Sequence, residues 1–358
     1  MLKNIPWNFS PRTVTLLAGK REIFLDDYPW PFPFSREDAG GFFLPGPESL
    51  ASVFSPLLIL SHGTLTGPRG SAPTGADGFS SAEELACVVR ATMGLEMMRL
   101  GDRLVFSREG LSGDLPGSGD PRIRKGLFWF DEGQRLVPYQ LIVPRRASPD
   151  ALVVLLHGGG GNPDSCPKDF RGTLPDYAER FSCVLLCPDA VVKNSTYGCP
   201  VPPQGIDPQA RGMFPNTPQD LFGRALAEKA LLELLLRVRE EFGIPRDRVL
   251  LAGNSMGGMG CFHFAARHRD IIRAIAPAGA APEIASFDYE ALAGLPIFFT
   301  AGTQDHHGFR HLKDAADHMK RLGLSVTFRP VEGGTHQYAW VEDAPEWFAF
   351  LTKREADA

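Results

Sequence analysis

The sequence predicts an α/β fold in which a mostly parallel, twisted sheet carries helices on both faces. From about residue 121 onward, short apolar runs alternate with stretches of helical periodicity. Runs such as residues 151–156 and 183–187 contain no polar alternation, which is typical of strands buried on both faces. Because parallel strands need a crossover connection, this alternation favours a parallel sheet with helical crossovers.

The predicted elements follow one another along the chain. An antiparallel hairpin is expected over residues 127–143, because two strand-like runs flank a turn at Glu132-Gly133. The strongest helix is expected over residues 221–242, where leucines recur at helical spacing until Gly243. The remaining expected strands are 151–156, 183–187, 250–252, 271–276, 297–301 and 325–331, and the remaining helices are 173–181, 256–267, 309–322 and one from about 345.

Residues 1–120 are expected to form an N-terminal extension or small accessory domain, and residues 121–358 the main α/β domain. Short strands are predicted at 13–17 and 22–25, and a helix capped by Ser80 or Ser81 is predicted to run to about residue 100. Alternating prolines make residues 28–34 extended. The aromatic residues of that segment suggest an arm packed along the main domain, with a wall of the substrate site or a surface through which copies form a homo-oligomer as the alternatives.

Composition excludes several classes of function. Hydrophobic residues make up 43% of the chain and charged residues 22%, and the net charge is −5. A nucleic-acid partner is not expected, because such proteins carry a basic patch or stripe. A membrane partner is not expected either, since no apolar run approaches the roughly 18 residues of a membrane span. The first residues lack the apolar core of a signal peptide, so a cytoplasmic location is expected.

The six cysteines are scattered and form no C-x-x-C pair, so neither a zinc nor a redox motif is indicated. Cys166 and Cys199 fall in predicted loops and could pair only in an oxidising compartment.

The stretch Gly253-Asn254-Ser255-Met256-Gly257 follows a short apolar run and precedes a helical pattern. A G-x-S-x-G sequence in that context predicts a tight strand-to-helix corner that exposes the serine hydroxyl. Gly253 and Gly257 are expected because a Cβ at either position would crowd the corner. Ser255 is therefore the candidate nucleophile, with a chance match of the motif as the alternative.

A serine hydroxyl needs a base within hydrogen-bond reach and a third group that orients the base. After such a corner the expected chain order is an acid and then a histidine. Asp305 follows the predicted strand 297–301, and His336 lies in a glycine-rich loop after the strand 325–331. Both would lie at the carboxyl ends of strands, so Asp305 is the candidate acid and His336 the candidate base. The alternatives are a turn aspartate and a structural histidine.

Stabilisation of a developing oxyanion requires backbone N–H groups directed at it. One donor is expected from Met256, which follows the serine, and the other from the loop His157-Gly158-Gly159-Gly160. The sequence does not separate Gly158 from Gly159. His157 is expected to brace this loop rather than to transfer protons.

A metal site is an alternative interpretation of one histidine-rich segment. Its candidate ligands are His306, His307, His311, Asp314 and His318. His311, Asp314 and His318 could share a helix face, and zinc does use such ligands. Because Gly308 is expected to interrupt the helix, these residues are not expected to converge, so no metal and no cofactor are expected.

Four segments together resemble a known family. They are residues 157–161, the run from Ala227 through Ser255 to Gly258, Gly302-Thr303-Gln304-Asp305, and Gly333-Gly334-Thr335-His336. In these segments the chain from about residue 121 resembles the serine-esterase branch of the α/β-hydrolases, and in particular feruloyl esterases, polyhydroxybutyrate depolymerases and prolyl-oligopeptidase-like proteins. The resemblance implies an α/β-hydrolase fold and cleavage of carboxylic esters, with Ser255, Asp305 and His336 as nucleophile, acid and base. A peptidase of the prolyl-oligopeptidase type and a non-catalytic binding protein are the alternatives.

The long loop over residues 190–219 is expected to overhang Ser255, since it leaves the carboxyl end of a central strand. Tyr197 and Phe214 of this loop, and Tyr338 and Trp340 after His336, are the candidate substrate contacts. Aromatic walls favour flat or apolar groups. We therefore expect aromatic or medium-chain acyl esters, as small molecules or polymers, with a core role for these aromatics as the alternative.

Overall fold

A computed structural model describes residues 13–31, 34–54, 58–75, 78–107, 120–205 and 216–354. The chain divides into two compact units, one made of Met1–Pro121 with Lys125–Val137 and the other of Arg122–Arg124 with Pro138–Ala358. Each unit has a hydrophobic core of its own. Within the described ranges, no helix combines the length and the apolar character that crossing a bilayer requires.

The first unit is built mainly from antiparallel strands. Its elements up to Ser107 are β1 (Thr13–Leu17), β2 (Glu22–Leu25), β3 (Tyr28–Pro31), β4 (Phe34–Glu37), β5 (Phe43–Pro45), α1 (Pro47–Val53), β6 (Ile59–Ser61), β7 (Thr64–Gly67), β8 (Gly70–Pro73), α2 (Ala82–Met93), β9 (Glu96–Leu100) and β10 (Arg103–Ser107). The largest sheet has the order β3-β2-β1-β10-β9, and β4-β5 and β6-β7-β8 form two smaller sheets.

The aromatic and proline-rich segment forms the edge strand β3. Tyr28 and Trp30 are fully buried, whereas Pro29 and Pro31 alternate with them and are not. This alternation follows from the two-residue period of a strand. An edge position suits the prolines because they have no N–H to donate to a second neighbouring strand. The extended conformation of residues 28–31 is confirmed, and their aromatic rings belong to the core of this unit.

The prediction of a helix to about residue 100 is correct at its N-terminus and wrong at its C-terminus. Ser81 caps α2 by accepting a hydrogen bond from the N–H of Glu84. The helix ends at Gly94, which adopts a left-handed conformation with φ of 70°. Glycine tolerates this conformation without a Cβ penalty and so ends helices readily. Glu96–Leu100 then forms β9 instead of a further helical turn.

The eight-stranded sheet carries the parallel strands. Its elements and the helices around it are β11 (Ile123–Phe130), β12 (Arg135–Ile142), β13 (Ala151–Leu156), α3 (Ser165–Asp169), α4 (Leu174–Arg180), β14 (Cys183–Pro188), α5 (Pro218–Glu241), β15 (Val249–Asn254), α6 (Met256–Arg267), β16 (Ile272–Ala278), β17 (Ile297–Gly302), α7 (Phe309–Arg321), β18 (Val326–Val331), α8 (Tyr338–Glu342) and α9 (Ala344–Thr352). The sheet order is β11-β12-β14-β13-β15-β16-β17-β18. The pairs from β14 to β18 are parallel, and β12 pairs with β14 in the antiparallel direction.

Helices cover both faces of this sheet, as expected. On one face Val153 and Leu155 of β13 pack in a core cluster with Ala178 of α4 and Trp347 of α9. On the other face α6 approaches β13 so closely that a Cβ on Gly257 would lie 2.0 Å from the carbonyl oxygen of Leu156. Because strands β13 to β18 run in the same direction, their carboxyl ends lie together at one edge of the sheet. Ligands bind at this edge in such sheets.

The cysteines are all free thiols, and only Cys87 is exposed. The Sγ of Cys166 donates to the carbonyl oxygen of Leu155, and that of Cys199 donates to the carbonyl oxygen of Val201. Cys166 and Cys199 therefore do not pair with one another in this structure.

A largely buried ionic cluster joins α5 to α6. Glu228 of α5 accepts hydrogen bonds from His263, Arg267 and His268, at 2.9, 2.9 and 3.0 Å. Its side chain is 14% exposed. Burial opposes ionisation of Glu228, but the hydrogen bonds from His263 and His268 outweigh it and hold the pKa of Glu228 well below its ordinary value. The cluster stabilises α6, the helix that follows Ser255.

We expect Glu228→Gln to lower the free energy of unfolding at pH 7 by about 2–4 kcal/mol, because it leaves buried donors without their carboxylate. A depressed carboxyl pKa stabilises the fold above the unfolded value of 4.5 and loses that effect as the pH falls through the folded value. The difference between wild type and variant, measured by urea denaturation, should therefore shrink below about pH 4.5.

Glu233→Gln is the matched control, since Glu233 lies on the same helix and pairs with Arg237 on its exposed side. Such a surface pair contributes only about 0.3–0.5 kcal/mol. Equal losses in the two variants would contradict a special role for the Glu228 cluster.

Candidate active site

Ser255 occupies a strained corner between β15 and α6. Its backbone has φ of 59° and ψ of −118°, and its N–H donates to the carbonyl oxygen of Ala278 at 2.9 Å. A positive φ is uncommon for a residue other than glycine and is held only where the surroundings enforce it. A Cβ on Gly253 would lie 2.7 Å from the backbone of Gly257, so the flanking glycines are required by close packing. The expected strand-to-helix corner is confirmed.

Asp305 and His336 are joined by hydrogen bonds at the carboxyl ends of β17 and β18. The Nδ1 of His336 lies 3.1 and 2.9 Å from the two carboxylate oxygens of Asp305. The N–H of His307 also donates to Asp305, at 2.8 Å. Burial opposes ionisation of Asp305, but the bonds from His336 and His307 outweigh it and lower the pKa of that carboxyl. The ionised carboxylate can only accept, so Nδ1 of His336 carries the proton.

Gly279, which follows β16, lies against the His336 ring and next to the residue that anchors Ser255. A Cβ on Gly279 would lie 3.0 Å from Cε1 of His336 and 2.6 Å from Oδ1 of Asn254. The preceding residue, Ala278, accepts the hydrogen bond from Ser255. The structure therefore brings Ser255, Asp305 and His336 to one edge of the sheet. The Nε2 of His336 is buried and has no hydrogen-bond partner among the described residues.

The glycine loop after β13 lies beside Ser255. A Cβ on Gly158 would be 3.6 Å from the Cβ of Ser255, whereas one on Gly159 would meet nothing within 4 Å. The carbonyl oxygen of Gly158 accepts from the N–H of Gly161 and from Nδ1 of His157, at 3.1 and 2.8 Å. Within the described part of the chain, no backbone acceptor takes the N–H of Gly158, Gly159 or Met256. These N–H groups are therefore free to bind an anion near Ser255.

Tyr197 supports this loop from beneath and does not face a substrate. It is fully buried, its hydroxyl accepts the N–H of His157 at 3.1 Å, and its ring meets the His157 ring edge-on at 5.6 Å. A Cβ on Gly260 of α6 would lie 2.8 Å from Tyr197. Burial lowers the pKa of His157 to about 4, so its ring is neutral near pH 7. Tyr197 and His157 thus brace the loop, and the fully buried Tyr197 has no exposed surface for the expected substrate contact.

The other expected substrate contacts separate into three cases. Trp340 is 1% exposed and its ring packs edge-on against Phe170 at 5.1 Å, in the core that contains Trp347. The expected substrate contact at Trp340 is thus not available, because core packing uses its ring. Tyr338 is 51% exposed and remains a candidate. Phe214 lies outside the described residues.

The loop of His336 is also tied to the helix that follows the glycine loop. Gln337 donates from Nε2 to the carboxylate of Asp169 at 2.5 Å. Partial burial raises the pKa of Asp169, against the opposing effect of this hydrogen bond. Neither residue was predicted from the sequence, because nothing in either local pattern indicates a partner 168 residues away.

Two further histidines lie at His336. The rings of His306 and His307 are centred 5.0 and 4.4 Å from the His336 ring. His311 instead lies against Gly205 and Gly308, on the helix α7. Among the described residues, no group of three His, Cys, Asp or Glu side chains could hold a metal ion.

A family model described as alpha/beta hydrolase fold matches residues 151–329, which is half of the chain. The chain belongs to the α/β-hydrolase family. No curated protein sequence matches it.

Solved structures of two hydrolases are similar to this α/β-hydrolase. A fluorophosphonate-binding serine hydrolase of Staphylococcus aureus is 18% identical, with a TM-score of 0.48, and the match covers 64% of this chain and 98% of that chain. A ferulic acid esterase of Anaeromyces mucronatus is 17% identical, with a TM-score of 0.48, and the match covers 68% of this chain and 94% of that chain.

We expect Gly279→Ala to destabilise the protein and to displace the His336 ring. A Cβ there meets Asn254 and His336, and the φ of +65° adds strain. Overpacking costs about 1–3 kcal/mol and the left-handed backbone about 1–2 kcal/mol. The measurement is the free energy of unfolding from denaturant titration.

Gly294→Ala is the control, because Gly294 has a φ of +74° and a Cβ on it would meet nothing within 4 Å. It should show the backbone cost alone. A loss for Gly279→Ala no larger than that for Gly294→Ala would show that the site tolerates a side chain at Gly279.

Proposed function

We propose that the protein is a serine hydrolase that cleaves carboxylic esters through an acyl-enzyme. The observation that carries this proposal is the hydrogen-bonded pair Asp305–His336, which lies at the same sheet edge as the strained Ser255. All residues used in the mechanism lie between Gly158 and His336, so the chemistry is assigned to the unit that contains Pro138–Ala358.

In the first half of the reaction the hydroxyl oxygen of Ser255 attacks the carbonyl carbon of the ester. Nε2 of His336 accepts the hydroxyl proton, and Asp305 stabilises the imidazolium that forms. The oxyanion is bound by the N–H of Met256 and that of Gly158 or Gly159. Each such donor stabilises the transition state by about 3 kcal/mol. The bond to the leaving oxygen then breaks, and His336 returns the proton to the departing alcohol.

In the second half a water molecule attacks the acyl-serine, and His336 takes one of its protons. Collapse of the second tetrahedral intermediate releases the carboxylic acid and returns the proton to Ser255. The unpartnered Nε2 of His336 fits this role, because the proton on Nδ1 is held by Asp305 and leaves Nε2 as the basic nitrogen.

Ser255→Ala should abolish hydrolysis of nitrophenyl esters and labelling by a fluorophosphonate probe, because no other hydroxyl replaces the nucleophile.

Asp305→Asn should lower kcat by up to about 10⁴-fold, since an amide favours the wrong imidazole tautomer. Both variants should stay folded by circular dichroism. A parallel assay on peptide amides separates an esterase from a peptidase.

Asp314→Asn on α7 is the matched control for the acid and should retain wild-type kcat, because Asp314 is exposed. Wild-type labelling of Ser255→Ala would exclude the proposed nucleophile. Loss of activity in Asp314→Asn with activity kept in Asp305→Asn would exclude the proposed acid.

We further propose that the substrate carries an aromatic or medium-chain acyl group. Tyr338 supports this, because it is exposed and lies two residues after His336, where its ring can cover an apolar group. Small-molecule and polymeric esters both fit this description.

Tyr338→Ala should leave the melting temperature near that of wild type and lower kcat/KM for aromatic and medium-chain esters relative to acetate. A tenfold loss would correspond to about 1.4 kcal/mol of transition-state binding.

Trp340→Ala should instead lower stability by about 3–5 kcal/mol, as expected for truncation of a core tryptophan. It should leave the ranking of substrates unchanged.

Measurements of kcat/KM across acyl lengths and of thermal melting decide between these roles. A changed substrate ranking in Trp340→Ala would contradict its assignment to the core, and an unchanged ranking in Tyr338→Ala would show that Tyr338 does not line the acyl pocket.

A further inference from the structure

Three imidazole rings pack together at the proposed base. His307 lies 4.4 Å from His336 between ring centroids, with an angle of 70° between the ring planes. His306 lies 5.0 Å from His336 and 4.1 Å from His307. The His307 ring therefore meets the His336 ring in an edge-to-face arrangement, which restricts rotation of both rings.

The backbone of His307 is fixed by the same carboxylate that holds His336. Its N–H donates to Oδ1 of Asp305, and the N–H of the next residue, Gly308, donates to the Asp305 carbonyl oxygen at 2.9 Å. Asp305 thus holds His336 directly and places His307 against it. The backbone of His307 is consequently fixed in relation to both members of the proposed acid–base pair.

The charge state of His307 suits this contact. Partial burial, followed by the neighbouring His336 and His306, lowers the pKa of His307, and Asp305 opposes that shift. These three are the titratable groups that act on it within the described structure. A neutral ring at neutral pH does not oppose the imidazolium that His336 must become.

We propose that His307 is a positioning residue whose ring packs on His336 and keeps Nε2 of His336 directed at the reacting atoms. This inference rests on the proposed function. It assigns His307 to the ester hydrolysis reaction rather than to a metal. The ring of His307 acts through shape, so an aromatic side chain without ring nitrogens should replace it.

The test compares His307→Ala with His307→Phe in the full-length protein, using a nitrophenyl ester. We expect His307→Ala to lower kcat about tenfold with KM changed less than twofold, because a rotated base loses transition-state geometry without loss of substrate binding. His307→Phe should restore kcat to within about threefold of wild type. His62→Ala is the matched control, since His62 is an exposed histidine that lies in the other unit, and it should behave as wild type.

A second readout is independent of ester turnover. The proton on Nδ1 of His336, held between His336 and Asp305, should give a low-field proton resonance in wild type and in His307→Phe. In His307→Ala this resonance should broaden, while the melting temperature stays close to that of wild type.

The outcomes separate the two proposals. If wild type hydrolyses no ester or amide, the proposed function fails, and the resonance still tests whether His307 orders His336. Wild-type kcat and a sharp resonance in His307→Ala would overturn the positioning role. Equal impairment of the Ala and Phe variants would overturn it as well, because the ring's shape would then not be what matters.

Discussion

The close approach of backbone at the corner between β15 and α6 is the constraint on which the rest of the site depends. A side chain on Gly257 would overlap the carbonyl of Leu156, and one on Gly253 would overlap Gly257. Only with bare glycine at both positions can α6 begin immediately after the strand. Ser255 is left with a positive φ, a conformation that costs about 1–3 kcal/mol and must be offset elsewhere.

The offsetting interactions form a layer beneath the corner. The segment after β14 places the fully buried Tyr197 between α6 and the glycine loop, where a Cβ on Gly260 would strike it. Glu228 binds three side chains at the far end of α6 and fixes that helix to α5. Tyr197 therefore serves the site without reaching its surface, because it fixes both the loop beside Ser255 and the helix behind it.

The sequence predicted those parts of the site that have a local cause. The glycines around Ser255, and the positions of Asp305 and His336 after successive strands, are short-range features that follow from turn geometry and strand direction. The burial of Tyr197 and Trp340 does not have a local cause. An aromatic residue in a loop, or just after a catalytic histidine, has the same local sequence pattern whether its side chain faces solvent or the core. Only tertiary packing decides which way it faces.

Other parts were missed for the same reason. Gly279 and His307 lie against His336, which is on a different loop, so no spacing in the sequence reveals either contact. In the first unit, the end of α2 at Gly94 had a local signal in the glycine itself. The pairing order of the five-stranded sheet had none, since β1 pairs with β10 across most of that unit.

A comparison of His157 with His336 shows why one histidine near Ser255 supports a loop and the other can act as a base. His157 and His336 both have a buried Nε2 that has no partner in the described structure, and both donate from Nδ1 to an oxygen. Leaving such a polar atom buried costs about 1–3 kcal/mol, so each must have a reason to persist. The oxygen bound by His157 belongs to a neutral peptide, and burial lowers the pKa of His157 to about 4. The oxygen bound by His336 belongs to an ionised carboxylate that can stabilise a positive ring. Only His336 therefore has the charge partner that taking a proton from Ser255 requires.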